Sequence, residues 1–198
     1  MTAIITGDII NSRQTDIKIW LKVLKKTLNL FGKSPKSWEI YRGDSFQLEV
    51  AVEDALQCAI SIKAILKQEE IDVRMAIGVG EKEYVADKIT ASNGSAFINS
   101  GEAFEALKKN TLAIKTPWED FDDAINIMLD LALITMDNWS ATSAEMVKIG
   151  LANPEMTQTE LTKLLKKTQS TISEGFKRAG YDEIVKMIHF YNKKISKK

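Results

Sequence analysis

Over the first 116 residues, short apolar runs crowded with β-branched side chains alternate with stretches in which apolar residues recur every three to four positions. Beyond Pro117 only the helical spacing remains. TAIITGDII at 2–10 reads as a buried strand, because β-branched residues suit a packed, pleated surface. Ile17, Leu21, Leu24, Leu28 and Phe31 then mark one face of a helix over 16–31, ended by Gly32 and Pro35. WEIYRGDSFQLEV at 38–50 predicts two strands joined by a tight turn at Gly43-Asp44, with Asp44 at the hairpin tip. A helix over 54–67 follows, then a strand over 73–79, a short strand over 84–89, a helix over 95–109 and a last strand at 112–114.

That order, β-α-β-β-α-β followed by α-β, matches a ferredoxin-like core, an antiparallel sheet with helices on one face. The fold class read from the chain is therefore α/β (α+β), with an all-α C-terminal part. Helices are predicted at 118–137 and 141–152, so the organisation divides into an α/β domain over 1–116, connector helices over 117–155 and a C-terminal module over 156–198. Trp118 and Trp139 in the connector read as packing anchors.

The C-terminal module reads as two short helices, the first capped by Thr157, with a break around Lys167-Thr168 and the second starting at Gln169. Leu161, Leu164 and Leu165 mark one apolar face, Ile172 and Phe176 the other. In a helix-turn-helix the second helix enters the major groove. Gln169, Ser170, Thr171 and Ser173 are then the candidate base readers, and Lys167, Lys177 and Arg178 the candidate phosphate contacts. A plain helical hairpin docked on the rest of the protein fits the same pattern. Charge favours the first reading. The formal net charge is zero, yet residues 157–198 carry ten basic and four acidic side chains, a local net of plus six. The final KKISKK reads as a solvated terminus.

Other chemistry is narrowed by composition. No segment approaches the roughly 20 apolar residues of a membrane-spanning helix, and MTAIITGDII carries neither a basic flank nor a cleavage site, so a cytoplasmic protein with no membrane partner is expected. The single Cys58 lies in an apolar helical stripe and reads as a packed thiol. A sole histidine, His189, argues against histidine-rich metal sites and histidine-based triads.

Two aspartates exceed what a core needs. Asp8 ends the first strand and Asp44 lies on the hairpin predicted beside it, so both carboxylates are expected at one edge of the sheet. Such a pair can hold Mg2+ or Mn2+ together with ligand phosphate oxygens. An aspartate in a Gly-Asp turn is also simply a good turn former. Ser92-Asn93-Gly94-Ser95 ahead of a helix offers backbone N–H groups to an anion, or merely an ordinary cap. Gly78 and Gly80 either admit a ligand or end a strand.

IITGDIINS, YRGDSFQLEV, VRMAIGVG and SNGSAFINSGEAFEALKK resemble, in order and spacing, the four landmark segments of class III nucleotidyl cyclase domains. With a helix-turn-helix after them, the chain is similar to the SatD family, and RGDSF resembles the hairpin of GGDEF-type diguanylate cyclases. TQTELTKLLKKTQSTIS resembles the bacterial regulator pattern TQxELAxxLGxSQSTVS, with Lys166 at the turn glycine, Lys167 at the next apolar position and Gly175 inside the second helix. The resemblance implies that Asp8, Asp44 and the Ile9 backbone hold the metal. It implies further that Asn99 orients the ribose of a nucleotide, with Ser95 and Gly43 beside it. Ala103 stands where cyclases place the arginine that stabilises the transition state, which argues against cyclisation. Cyclases assemble their sites across a dimer, so a homodimer is implied as well. The expected function is a transcriptional regulator that binds double-stranded DNA and senses a nucleotide or phosphate-bearing ligand. The alternatives are a nucleotide-processing enzyme and a degenerate scaffold.

Overall fold

In the computed structural model, which describes residues 1–198, five strands form one mixed sheet: β1 (Thr2–Ile9), β2 (Trp38–Tyr41), β3 (Ser45–Val50), β4 (Val73–Gly80) and β5 (Leu112–Lys115). Their order is β2-β3-β1-β4-β5, antiparallel except for the last pair, which is parallel. The expectation of a purely antiparallel sheet with helices on one face is thus corrected twice. β5 is parallel to β4, and helix α3 (Ser95–Glu105) covers the face opposite α1 (Ile17–Leu28) and α2 (Ala55–Gln68). The alternation along β1 divides the two faces. Ala3, Ile5 and Ile9 enter the main core, whereas Ile4 packs on Ala96 and Phe97.

Glycines on β4 make the second face possible. A Cβ on Gly78 would lie 2.1 Å from the Ser100 nitrogen, and one on Gly80 would lie 2.6 Å from the Ala96 nitrogen. Both positions therefore serve the close approach of α3 to the sheet. No strand forms over 84–89; Tyr84 makes a single bridge to Asn93, and 89–91 is one 3-10 turn. Helix α1 stops at Leu28, since the turn predicted to continue it closes with bonds from Leu30 to Thr27 and from Phe31 to Leu28. Helix α3 stops at Glu105, with Lys108 left-handed just beyond it.

Helices α4 (Glu119–Met136) and α5 (Ala141–Ala152) form where helices were expected. Two short helices follow, α6 (Gln158–Leu165) and α7 (Gln169–Ala179), and then α8 (Tyr181–Ile195). Ile184, Met187, Ile188 and Tyr191 bury one face of α8, and the Tyr191 hydroxyl donates to the Val52 carbonyl at 2.7 Å. The 38-residue core runs without a break from the sheet through α2, α4, α5 and α8, so it crosses residue 116. Trp139 is buried and its indole donates to the Ala179 carbonyl at 2.9 Å; Trp118 is partly buried, with Lys198 over its ring.

Polar groups fasten the same elements. Lys63 of α2 has no solvent exposure and donates to Thr111 at 3.0 Å, while its ammonium lies 2.7 Å from Asp137 and 3.5 Å from Asp72. Burial alone would raise the Asp72 carboxyl, but hydrogen bonding from Lys67 and the charges of Lys63 and Lys67 outweigh it and hold it below its ordinary value. On the outer edge of β5, Asn126 bonds both the N–H and the C=O of Ile114, and Asp122 accepts from Thr116, so side chains of α4 occupy an edge another strand would otherwise seek. Cys58 is buried, and burial pushes its thiol far up, in keeping with a packing role.

Candidate functional site

The register of the sheet sets Asp8 between Ser45 of β3 and Arg74 of β4. The hairpin joining β2 to β3 closes on the pair Tyr41 and Ser45, so its loop is residues 42–44; it contains the expected Gly43-Asp44 and adds Arg42, with positive φ at Arg42 (50°) and Gly43 (94°). Asp44 is the last residue of that loop, so it lies at the hairpin tip as expected, directly before β3. Gly43 is exposed, and nothing lies within 4 Å of where its Cβ would be, so it answers to backbone conformation rather than space.

Arg74 is the residue the sequence reading missed. Its Nε and Nη2 donate to the two oxygens of Asp8, each at 2.8 Å, and its guanidinium lies 5.0 Å over the Phe104 ring. The bond to Asp8 raises Arg74 above its ordinary value, burial opposes this, and the charges of Asp8 and Asp44 add to the rise. Asp44 accepts a short bond from the Ser12 hydroxyl. Burial raises the half-buried Tyr41 hydroxyl nearby, with Arg42 opposing and Asp8 adding. The only signal for Arg74 was one charge inside the apolar run VRMAIGVG, opposite an aspartate one strand away.

A carboxylate offers about four lone-pair sites, and the bidentate guanidinium takes two of them on Asp8. Asp8, Asp44 and Arg74 together carry net minus one. No cluster of three or more His, Cys, Asp or Glu side chains is arranged to hold a metal. A divalent ion here would depend on ligand phosphates for much of its coordination. The Ile9 side chain is buried in the core and its backbone pairs with Val73.

The structure does not bring Asn99 and Ser95 to this place. Asn99 donates to the Val79 carbonyl at 2.7 Å, and Val79 pairs with Ala3, five residues from Asp8, or roughly 17 Å along the strand. Ser95 accepts from the Glu81 N–H at 2.8 Å at the same far end. The SNGS loop is closed by its own chain: Asn93 accepts from Gly94, and a Cβ on Gly94 would meet the Glu81 carbonyl at 2.3 Å. Ala103 is buried in α3.

At the other end of the molecule, Thr157 and Glu160 form a reciprocal cap on α6, and Thr168 caps α7. The intervening Lys166 is left-handed (φ 52°, ψ 38°), the conformation usually given to glycine. Leu161, Ile172 and Phe176 pack with Met146 of α5 into a small core of their own. Gly175 does not break α7; it lets the helix approach Met146, whose Cγ would lie 2.9 Å from an added Cβ. Gln169, Ser170, Thr171, Ser173, Lys177 and Arg178 are all exposed on the side away from that core. Glu174 shares their face and accepts from Ser170 at 3.3 Å. Lys167 is drawn aside into an ion pair with Glu145 at 2.9 Å. No protein-family model matches the chain, and no curated protein matches it.

Proposed function

We propose that this protein is a DNA-binding regulator that reads duplex DNA with α7 and carries a nucleotidyl cyclase-like, ferredoxin-like core as its ligand-sensing half. One observation carries the reading. α7 is held at its back by Ile172 and Phe176 while Gln169, Ser173, Lys177 and Arg178 stand free, which is what a helix needs in order to lie in a major groove. The net positive charge of residues 157–198 supports it. With Lys167 engaged by Glu145, Lys177 and Arg178 become the main phosphate contacts.

The test is fluorescence anisotropy of the full chain on labelled duplex DNA across a salt series. Affinity is expected to fall steeply with salt, by about 0.9 logarithmic units per phosphate contact for each tenfold increase. Lys177→Glu with Arg178→Glu is expected to abolish binding while leaving the melting temperature in place. Unchanged affinity in that variant rules the reading out.

The sensing half is proposed to take a phosphate-bearing ligand at Asp8, Asp44 and Arg74, with Mg2+ or Mn2+ arriving on its phosphates and the half-exposed Arg74 turning from Asp8 to the anion. A panel of nucleotides with and without divalent ions should raise the melting temperature of the wild type but not of Asp44→Ala. A second reading, a ligand-free scaffold, is favoured by the completeness of the Asp8–Arg74 pair and by Asn99 being bound to its own strand. No shift with any of these ligands selects it.

A further inference from the structure

The two edges of the sheet are treated differently. Along β5, Asn126 of α4 takes up both backbone groups of Ile114 that an added strand would use. At the other edge the Ser37 carbonyl accepts from the Glu49 N–H at 2.8 Å, so the ladder between β2 and β3 bonds at positions 37, 39 and 41. The N–H and C=O groups of Trp38 and Ile40 therefore point away from β3, and none of them has a hydrogen-bond partner in the chain. A groove of about 810 Å³ runs beside them, lined by every residue from Trp38 to Gly43 and walled by Leu21, Lys25 and Asn29 of α1 and by Lys33.

Charge selects what fits there. Residues 17–43 carry seven basic side chains and one acidic, a local net of plus six. Lys25, Lys33 and Arg42 line the groove, Lys18 and Lys22 continue its α1 wall at helical spacing, and Lys26 and Lys36 flank it. All seven are exposed and none enters an ion pair. Glu39 is the one acidic side chain in the lining, and it is engaged by the Thr90 hydroxyl and by Lys88. Asp16 caps the start of α1, Asp44 accepts from Ser12, and Asp87 precedes the 3-10 turn packed on the opposite face. The Asp8–Arg74 pair also lies on that opposite face, against Phe104 of α3, so the groove is a separate surface.

We infer that β2 takes up an acidic, extended segment of a partner protein as a sixth strand. The segment bonds to the backbone of Trp38 and Ile40, packs apolar side chains on Leu21 and Ile40, and sets its carboxylates against Lys25, Lys33 and Arg42. Phosphates would use the charge alone, whereas an unpaired strand edge adds backbone bonds that a polypeptide returns in register. Lysines beside a short edge can also keep strands from pairing with it, and the experiment separates the two roles. The inference rests neither on the DNA-binding reading of α7 nor on the phosphate site.

The test is fluorescence anisotropy of the full chain with a short labelled peptide that alternates glutamate and valine. Saturable binding that weakens with salt is expected, and none for the same peptide with lysine in place of glutamate. Lys25→Glu combined with Lys33→Glu and Arg42→Glu should weaken binding at least about tenfold at an unchanged melting temperature, since these side chains are exposed and unbonded. Two further peptides carry N-methyl groups at alternate backbone nitrogens, in opposite phase. One of them loses the donors that face β2 while keeping its charge, and should bind about tenfold more weakly. No binding at all overturns the inference and leaves the lysines as guards of the edge. Full-strength binding of both methylated peptides, or of the wild-type peptide to the triple variant, overturns it too. In protein carrying Lys177→Glu and Arg178→Glu the peptide should bind as before. A single-stranded oligonucleotide of equal charge that displaces it there as well as unlabelled peptide does would assign the groove to phosphates and overturn the inference.

Discussion

The sheet end around Asp8 and the outer face of α7 were both read as binding surfaces, and they use their polar groups in opposite ways. Around the sheet the polar side chains are committed internally: Asp8 to Arg74, Asp44 to Ser12, Asn99 to the Val79 carbonyl, Ser95 to the Glu81 N–H. On α7, Gln169, Ser173, Lys177 and Arg178 make no side-chain bond within the chain. A net hydrogen bond is worth only about 1 kcal/mol because water competes for both partners. Committed groups therefore contribute to stability, and uncommitted ones keep their capacity for a partner. The contrast becomes measurable when stability is followed at both places.

The largest loss is expected where commitment is most complete. Asp137→Ala removes the nearest carboxylate from the fully buried Lys63 and leaves its charge to Thr111 and the more distant Asp72. Breaking such a pair from one side costs about 3 kcal/mol. Thermal unfolding should show a fall of roughly 6–12 °C for a chain of this size. A smaller loss follows from Arg74→Met, which keeps the contact with Phe104 but strips Asp8 of both donors. Because Arg74 is 42 % exposed, water replaces part of what is lost and about 1–2 kcal/mol is expected. A variant as stable as the wild type would mean that the pair is not structural and that Arg74 is free for a ligand.

The Asp72 carboxyl gives the comparison a pH axis. Its folded value is held below its unfolded one, so its contribution is fully present above the ordinary carboxylate range and is lost as pH falls through the folded value. Asp72→Asn is accordingly expected to lower stability at neutral pH and to flatten the decline on the acid side, followed by urea titrations from pH 7 to pH 3. An acid limb as steep as that of the wild type would assign the decline to other carboxylates. Lys166→Gly runs the other way. Relieving a left-handed lysine should raise stability by about 0.5–1 kcal/mol without touching the face of α7.

Periodicity made most elements legible because each buries a face: α5 was read at its observed bounds, and α4 within a residue at each end. Element order could not say on which face α3 lies, since that depends on Gly78 and Gly80 meeting the backbone of Ala96 and Ser100 from across the sheet. For the same reason motif spacing could not say that Asn99 sits at the opposite end from Asp8. Helix α8 was hidden by its lysines, although Ile184, Met187, Ile188 and Tyr191 follow the spacing that revealed α1. Arg74 was hidden because one charge in a strand acquires meaning only when the register puts Asp8 opposite it. The break before α7 was legible because capping residues flank it, but the left-handed Lys166 has no marker beyond a glycine it replaces.

The smallest effect is the most discriminating. Gln169→Ala, Ser170→Ala and Ser173→Ala combined remove three polar side chains from α7, and of their bonds only that from Ser170 to Glu174 is lost. Surface changes of this kind stay within about 0.5 kcal/mol each, and alanine favours the helix interior over serine by a few tenths. The melting temperature of the triple variant should therefore match or slightly exceed that of the wild type. Specific DNA affinity should drop toward the non-specific level set by Lys177 and Arg178, because phosphate contacts position the helix and base contacts specify the site. A melting temperature several degrees lower would mean that this face packs on something within the folded protein. The capacity of α7 would then be committed like that of the sheet end, and the difference between the two regions would disappear.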